Sequence, residues 1–157
     1  MPELRKITTE QIVATAREWL GTPYHHQAAT KLAGCDCLGF VRGVFRDLHG
    51  FNPEEPPPYT KTWGEYGKEE LMIEASRRNL IEVAVSRPGY FLPVAEQRWD
   101  VGDVLMFRLK LGMVAKHCAI VTGPDTMIHS YSGVGVVETS IGVWKGRLAG
   151  VFKFPGL

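Results

Sequence analysis

Gly34-Cys35-Asp36-Cys37-Leu38-Gly39-Phe40-Val41 is the stretch on which the reading of this chain turns. Asp36 carries the short carboxylate that caps a helix. The spacing that follows, Cys37, Val41, Val44 and Leu48 with Phe40 beside them, is helical. Cys37 is therefore expected as the first residue of a helix that ends before Gly50, on the stripe turned toward packed protein. Gly39 and Gly43 each cost such a helix up to ~1 kcal/mol against alanine, so something is expected to pack closely there, and the sheet is the expected neighbour.

Outward from this segment the chain divides into a helical half and a strand-rich half. Thr8 with Gln11 forms a capping-box pattern, Ile12, Val13, Ala16, Trp19 and Leu20 follow helical spacing, and Gly21 stands where a left-handed terminal residue is wanted. A loop then runs to Gly34. The proline-rich run from Phe51 to Tyr59 is expected to lie extended on the surface, and a third helix over about Gly67 to Asn79 is expected to turn Leu71, Met72 and Ala75 inward. Strands are predicted at Val101 to Leu109, His117 to Thr122, Thr126 to Tyr131, Val134 to Thr139 and Gly150 to Phe154. The pattern predicts an α+β domain, N-terminal helices packed on a mostly antiparallel sheet of about five or six strands. It shows no internal repeat.

Composition bounds the function classes. With 157 residues the chain is the size of one ordinary domain, so residues 1–157 are read as a single domain that removes roughly 70% of its unfolded surface from water. A formal charge of +1 supplies no broad field for nucleic acid or anionic lipid, and neither is expected as a partner. The N-terminus lacks an apolar signal core, and no run approaches the roughly 20 apolar residues needed to cross a bilayer. A cytoplasmic location in the producing cell is expected, with no membrane insertion. Three cysteines, two of them separated by a single residue, do not form a disulfide framework, and free thiols are expected.

The chemistry centres on Cys37. A helix N-terminus and an adjacent imidazolium both favour the thiolate, which is the nucleophilic form. The histidines available are His25, His26, His49, His117 and His129. With Gly123-Pro124-Asp125 as a three-residue turn, Thr122 faces Thr126 and Ala119 faces His129. His117 and His129 then share one sheet face, diagonally about 7 Å apart. His117 then takes and returns the proton while His129 holds its ring in the productive tautomer. A two-residue turn puts the two rings on opposite faces. Cys35 and Cys118 read as structural. Zinc on Cys35, Cys37, His117 and His129 is the competing reading, but Cys-x-Cys is not the usual ligand spacing and the metal would quench the thiolate. No metal or cofactor is expected.

Asp36-Cys37-Leu38-Gly39-Phe40-Val41 resembles the Asp-Cys-Ser-Gly-Leu-Val motif of the NlpC-type cysteine peptidases, papain-like endopeptidases of the bacterial cell wall. Gly21-Thr22-Pro23-Tyr24 is similar to their Gly-x-Pro-Tyr segment. Val101-Gly102-Asp103-Val104-Leu105-Met106-Phe107 is similar to their Pro-Gly-Asp-Leu-Val-Phe-Phe strand, and His117-Cys118-Ala119-Ile120-Val121 to the His-Val-Gly-Ile-Tyr strand with the catalytic histidine. Within the family, Cys35 to Gly39 and Tyr24 to Ala28 most resemble the compact peptidases of phage tails and gene transfer agents.

The resemblance implies the papain-like NlpC-type fold and hydrolysis of peptide stems in peptidoglycan, at the bond following γ-D-glutamate, through a thioester acyl-enzyme. It implies Cys37 as nucleophile, His117 as base and His129 as third member. It further implies that the Tyr24 hydroxyl aids the oxyanion beside the Cys37 N–H, a contact worth roughly 3 kcal/mol in other hydrolases. Asp36 either contacts a substrate amine or only caps the helix. Leu38 stands where the family carries serine, and His25-His26-Gln27-Ala28 replaces a glycine-rich stretch, departures that bear on specificity. The partners implied are the stem peptide and phage-like tail proteins, with the chain acting on the cell wall from a tail or after lysis. The alternatives are a non-catalytic tail assembly or tail-tip component, and an amidase or acyltransferase on the same fold.

Overall fold

The computed structural model describes residues 2–56 and 69–157. Helix α1 (Thr9–Arg17) opens on the expected capping box, with the Thr8 side chain accepting from the Gln11 N–H. Gly21 takes a left-handed backbone (φ 86°). Ile12, Ala16 and Trp19 are buried, but past Arg17 the chain tightens into i→i−3 bonds, Trp19 N–H to Ala16 and Leu20 N–H to Arg17, and Leu20 is 36% exposed. A small hairpin absent from the sequence reading follows, β1 (Ala29–Thr30) with β2 (Gly34–Cys35). It delivers the chain to α2 (Cys37–His49), capped by Asp36 and closed by Gly50 in the left-handed region as expected.

The two glycines of α2 do make close approaches, though not to the sheet. A Cβ on Gly39 would lie 1.8 Å from the Ala28 carbonyl oxygen, and one on Gly43 would lie 2.2 Å from the Trp19 ring. The loop before the helix and α1 are thus the neighbours, because α2 rests on the sheet through Phe40, Val44 and Leu48 instead.

The proline run corrects one expectation, since Pro53 is buried; its residues 57–59, like residues 67–68 of the expected third helix, lie outside the described residues. Helix α3 (Leu71–Asn79) buries Met72, Ile73 and Ser76 and leaves Leu71 44% exposed, so the inward face is rotated from the expected one. Glu70 stands just before the helix. Its carboxylate is committed to the buried Arg108 and to the Ala115 N–H, at 3.3 Å for the latter, and it does not cap α3.

The main sheet has six strands in the order β3-β8-β4-β5-β6-β7, antiparallel at every pairing. They are β3 (Ile81–Val85), β4 (Val104–Arg108), β5 (Ala115–Gly123), β6 (Thr126–Tyr131), β7 (Gly135–Ser140) and β8 (Leu148–Lys153). β3 was not expected although Ile81-Glu82-Val83-Ala84-Val85 alternates; it is an edge strand paired with β8, with Ile81 and Val83 half exposed. β4 starts later than expected because Asp103 accepts the Asp100 N–H at 2.8 Å and holds residues 100–103 as a turn.

Alternation along the strands makes two apolar layers. Met106, Cys118, Ile120 and Ile128 face the helices; Leu105, Phe107, Ala119, Val121 and Met127 face the other way, under Leu92, Trp144 and the 3-10 turn Gly142–Arg147. No helix of the described residues is long and apolar enough to cross a membrane. The contact between Gly39 and the Ala28 carbonyl sets how deeply the tip of α2 can sit. Gly39→Ala is expected to lower stability by about 1–3 kcal/mol through overpacking, read as a lower midpoint of urea unfolding.

Candidate active site

The strands that carry the histidines are built around two bulges. β5 and β6 pair at Gly123↔Thr126, leaving a two-residue turn rather than the expected three-residue one. That turn alone would place His117 and His129 on opposite faces. The register slips between Val121 and Gly123, so Thr122 is the extra residue, and the pairs Val121↔Met127 and Ile120↔Ile128 regain the expected register. The second bulge, at Lys116, lies between the pairs Phe107↔His117 and Arg108↔Ala115. It lets Ala115 join the helix-side layer while His117 joins Phe107 and Trp144 on the other face.

The last β5–β6 pair is Ile120↔Ile128, and among the described residues no ladder pair joins 115–119 to 129–131. The tip of α2 meets β5 here. The Cys118 thiol donates to the Cys37 carbonyl oxygen at 3.2 Å. The Cys37 sulfur lies 3.6 Å from the Lys116 carbonyl oxygen, an acceptor for its hydrogen while it is a thiol. Ser130 of β6 donates to the Cys35 carbonyl oxygen at 2.8 Å, so both parted strands grip the segment that ends in Cys37.

The expected pairing of rings is present. His117 Nε2 and His129 Nδ1 are 2.7 Å apart, with ring centroids at 5.0 Å. Since Nε2 of His117 is engaged there, Nδ1 is the nitrogen left for Cys37, whose sulfur hydrogen-bonds the His117 side chain. Three features of this site were not read from the sequence. The Thr139 hydroxyl lies 3.0 Å from His129 Nε2. Trp144 stacks on His117 at 4.8 Å and 21°. Cys118 touches the helix tip instead of serving only as core. Thr139 carries a signal that was available: it pairs with Met127, two residues from His129, and so shares its face.

The other histidines lie elsewhere. His49 is at the far end of α2, roughly 18 Å along the axis, where its Nδ1 accepts the Arg5 N–H at 3.1 Å. His25 and His26 sit on the loop before β1, and His26 Nδ1 is 3.9 Å from an Asp36 oxygen. Asp36 is buried and uses both carboxylate oxygens on backbone, accepting from the Gly39 N–H at 2.7 Å and the Gln27 N–H at 2.8 Å. It is a helix cap and a latch on the loop at once. Tyr24 bridges to Cys35, which holds it beside the helix tip.

Electrostatics separate the three thiols. Cys37 is lowered to about 5: the Cys118 thiol supports the anion most, burial opposes it, and the His117 ring supports it by hydrogen bond and by charge. The Cys118 hydrogen has two acceptors within reach, the Cys37 carbonyl oxygen and the Cys37 sulfur, and the anionic sulfur is the stronger one. Burial raises Cys35 to about 11, and Cys118 is pushed up by its bond to Cys37 and by burial. Burial, then the nearby Cys37, raises Tyr24 to about 12, so its hydroxyl keeps its proton. Burial and the His117 charge lower His129 to about 3, so His129 stays neutral. Among the described residues no group of three or more His, Cys, Asp or Glu is arranged to hold a metal ion.

A thiolate at a helix tip, backed by an ordered pair of imidazoles, has the chemical equipment of a cysteine hydrolase. The chain belongs to the NlpC/P60 family, whose model matches residues 21–153. It is 29% identical over 132 residues to the murein DD-endopeptidase MepS/murein LD-carboxypeptidase of Escherichia coli strain K12, covering 83% of this chain and 54% of that protein. The chain thus spans about half the length of the curated relatives it matches. Its fold is similar to that of an NlpC/P60 family protein from Bacillus cereus, with TM-score 0.67 and 19% identity over 98% of this chain and 42% of that one. The NlpC/p60 domain of the peptidoglycan hydrolase SagA superposes with TM-score 0.55 and 23% identity, over 92% of this chain and 98% of that domain.

Alkylation by iodoacetamide reads the thiolate directly. Cys37 is expected to react with a rate that falls only as pH drops through about 5. Cys35, held up to about 11, and the buried Cys118 are expected to stay unmodified at neutral pH, as peptide mapping by mass spectrometry would report.

Proposed function

We propose that this chain is a cysteine endopeptidase that cuts peptide stems of peptidoglycan, with Cys37 as nucleophile, His117 as base and His129 as third member. The observation that carries the reading is the ordered pair His117 Nε2–His129 Nδ1 at 2.7 Å behind a thiol held as thiolate. Family membership and the name of the Escherichia coli relative, a murein endopeptidase and carboxypeptidase, support the substrate class.

In this reading the Cys37 thiolate attacks the carbonyl carbon of the scissile amide. The oxyanion accepts from the Cys37 backbone N–H, at the start of α2 where a helix's first donors have no partner within the helix, and from Tyr24, which still holds its proton. The C–N bond breaks as the His117 imidazolium gives its Nδ1 proton to the leaving amine, and a thioester remains. Neutral His117 then takes a proton from water, the resulting hydroxide attacks the thioester, and the released sulfur returns as thiolate beside the imidazolium. Asp36 acts here as the cap that aims Cys37.

The bond following γ-D-glutamate is the proposed point of cleavage, on the resemblance of the motifs around Cys37 and His117. Tail-borne delivery to the cell wall is proposed on the segments Cys35 to Gly39 and Tyr24 to Ala28. Purified sacculi digested with the protein are expected to yield muropeptides ending in γ-D-glutamate by mass spectrometry. Cys37→Ala is expected to abolish release, and His117→Ala to lower it roughly 10²–10⁴-fold. New ends at the cross-link instead would overturn the bond assignment, and equal release by Cys37→Ala would overturn the peptidase itself.

A further inference from the structure

We infer that Thr139 is a positioning residue of this site: its hydroxyl accepts the His129 Nε2 hydrogen and so fixes the tautomer of His129 that lets His117 carry charge. The inference rests on the assignment of Cys37, His117 and His129 made above, and adds a fourth member to that set.

The reasoning follows one proton. His117 supports the thiolate as an imidazolium, which has hydrogens on both nitrogens, so its Nε2–H must find an acceptor. The group at 2.7 Å is Nδ1 of His129. His129 is neutral, because burial and the charge on His117 both disfavour its ionisation. A neutral imidazole has one hydrogen, and it must be on Nε2 if Nδ1 is to accept. Nε2 is 3.0 Å from Thr139 Oγ1, the acceptor that this tautomer requires. In the other tautomer the His129 Nδ1–H points at His117 Nε2, which then has to be a bare lone pair, and the charge on His117 is lost.

The surroundings keep water from doing the same work. Trp144 lies flat on His117 at 4.8 Å and edge-on to His129 at 5.6 Å, and is 7% exposed. It roofs the bond between the rings, while Tyr131 stands edge-on to His117 at 6.1 Å. Thr139 sits on β7, whose pairing with β6 runs unbroken from Thr126↔Ser140 to Tyr131↔Gly135, so its distance from His129 is set by a regular ladder.

Other titratable groups face the site from each element around it. They are Tyr24 and Asp36 before the helix, Cys35 on β2, Cys118 on β5 and Tyr131 on β6. Glu138, next on β7, turns to Arg17 and Thr122. Arg147 stands over the Trp144 ring at 5.6 Å.

Thr139→Val keeps the shape and removes the acceptor, whereas Thr139→Ser keeps the acceptor. Valine is expected to move the pH midpoint of Cys37 alkylation upward by roughly one unit. It is also expected to lower muropeptide release roughly 10–100-fold, by analogy with the loss of the outer hydrogen-bond partner of a metal-bound histidine. Serine is expected to leave both close to the unsubstituted protein. The tautomer can also be read with no substitution, from the ¹⁵N shifts of His129 near neutral pH, where an Nε2–H form is expected. An Nδ1–H form, or a valine variant with an unmoved alkylation midpoint, overturns the role of Thr139. If the protein releases no muropeptides at all, the peptidase reading falls while the alkylation and ¹⁵N measurements still decide this one.

Discussion

The contact between the tip of α2 and β5 is what the remaining arrangement depends on. The Cys118 thiol reaches the Cys37 carbonyl oxygen at 3.2 Å, and the Cys37 sulfur comes within 3.6 Å of the Lys116 carbonyl oxygen. A helix lying on a sheet through large side chains is held off the strands by those side chains, so its own backbone does not touch them. Here the contact is made by the end of the helix, at a place where the neighbouring strand has stopped pairing. Because the tip enters between parted strands, Cys37 reaches a histidine whose side chain belongs to the face away from the helices.

Holding the tip there takes close approaches on its other side. Gly39 lies against the Ala28 carbonyl and Gly43 against Trp19, so α2 is pressed toward the sheet by its loop and by α1. Asp36 ties the same loop to the same tip by accepting from both the Gln27 and Gly39 N–H groups. Its burial costs little net because two charge-assisted backbone bonds replace water. The loop bearing Tyr24 is thereby fixed relative to Cys37 by the residue that starts the helix, and nucleophile and phenol share one support.

Much of this was legible in residues 34–50, since a cap, a helical stripe and a terminal glycine are local signals and all three agree. The expected pairing of His117 with His129 also holds, but for a reason the sequence did not disclose. The turn is one residue shorter than assumed, and the bulge at Thr122 restores the parity. Bulges depend on how a whole strand fits its two neighbours, so nothing within Thr122-Gly123-Pro124-Asp125 marks one. Trp144 was invisible for a similar reason, as it stands in a 3-10 turn without periodicity and meets His117 only once β7 has ended and the chain has folded back. Edge strand β3 alternates in sequence as Ile81-Glu82-Val83-Ala84-Val85, yet Ile81 and Val83 stay half exposed, so its pattern does not report a buried face.

The three cysteines show how little residue type alone decides. Cys35, at the end of β2, is fully buried, with a single hydroxyl, that of Ser130, to favour its anion, and burial wins. Cys118 is equally buried, and the sulfur beside it takes the charge first, which makes a second anion prohibitive at that distance. Cys37 alone combines a hydrogen-bond donor from Cys118, an imidazole and the start of a helix, and these outweigh its own burial. Two neighbouring thiols with opposed tendencies are the sulfur counterpart of paired carboxylates whose surroundings split acid from base. Cys118 therefore acts on the reactive sulfur through the charge it declines to carry.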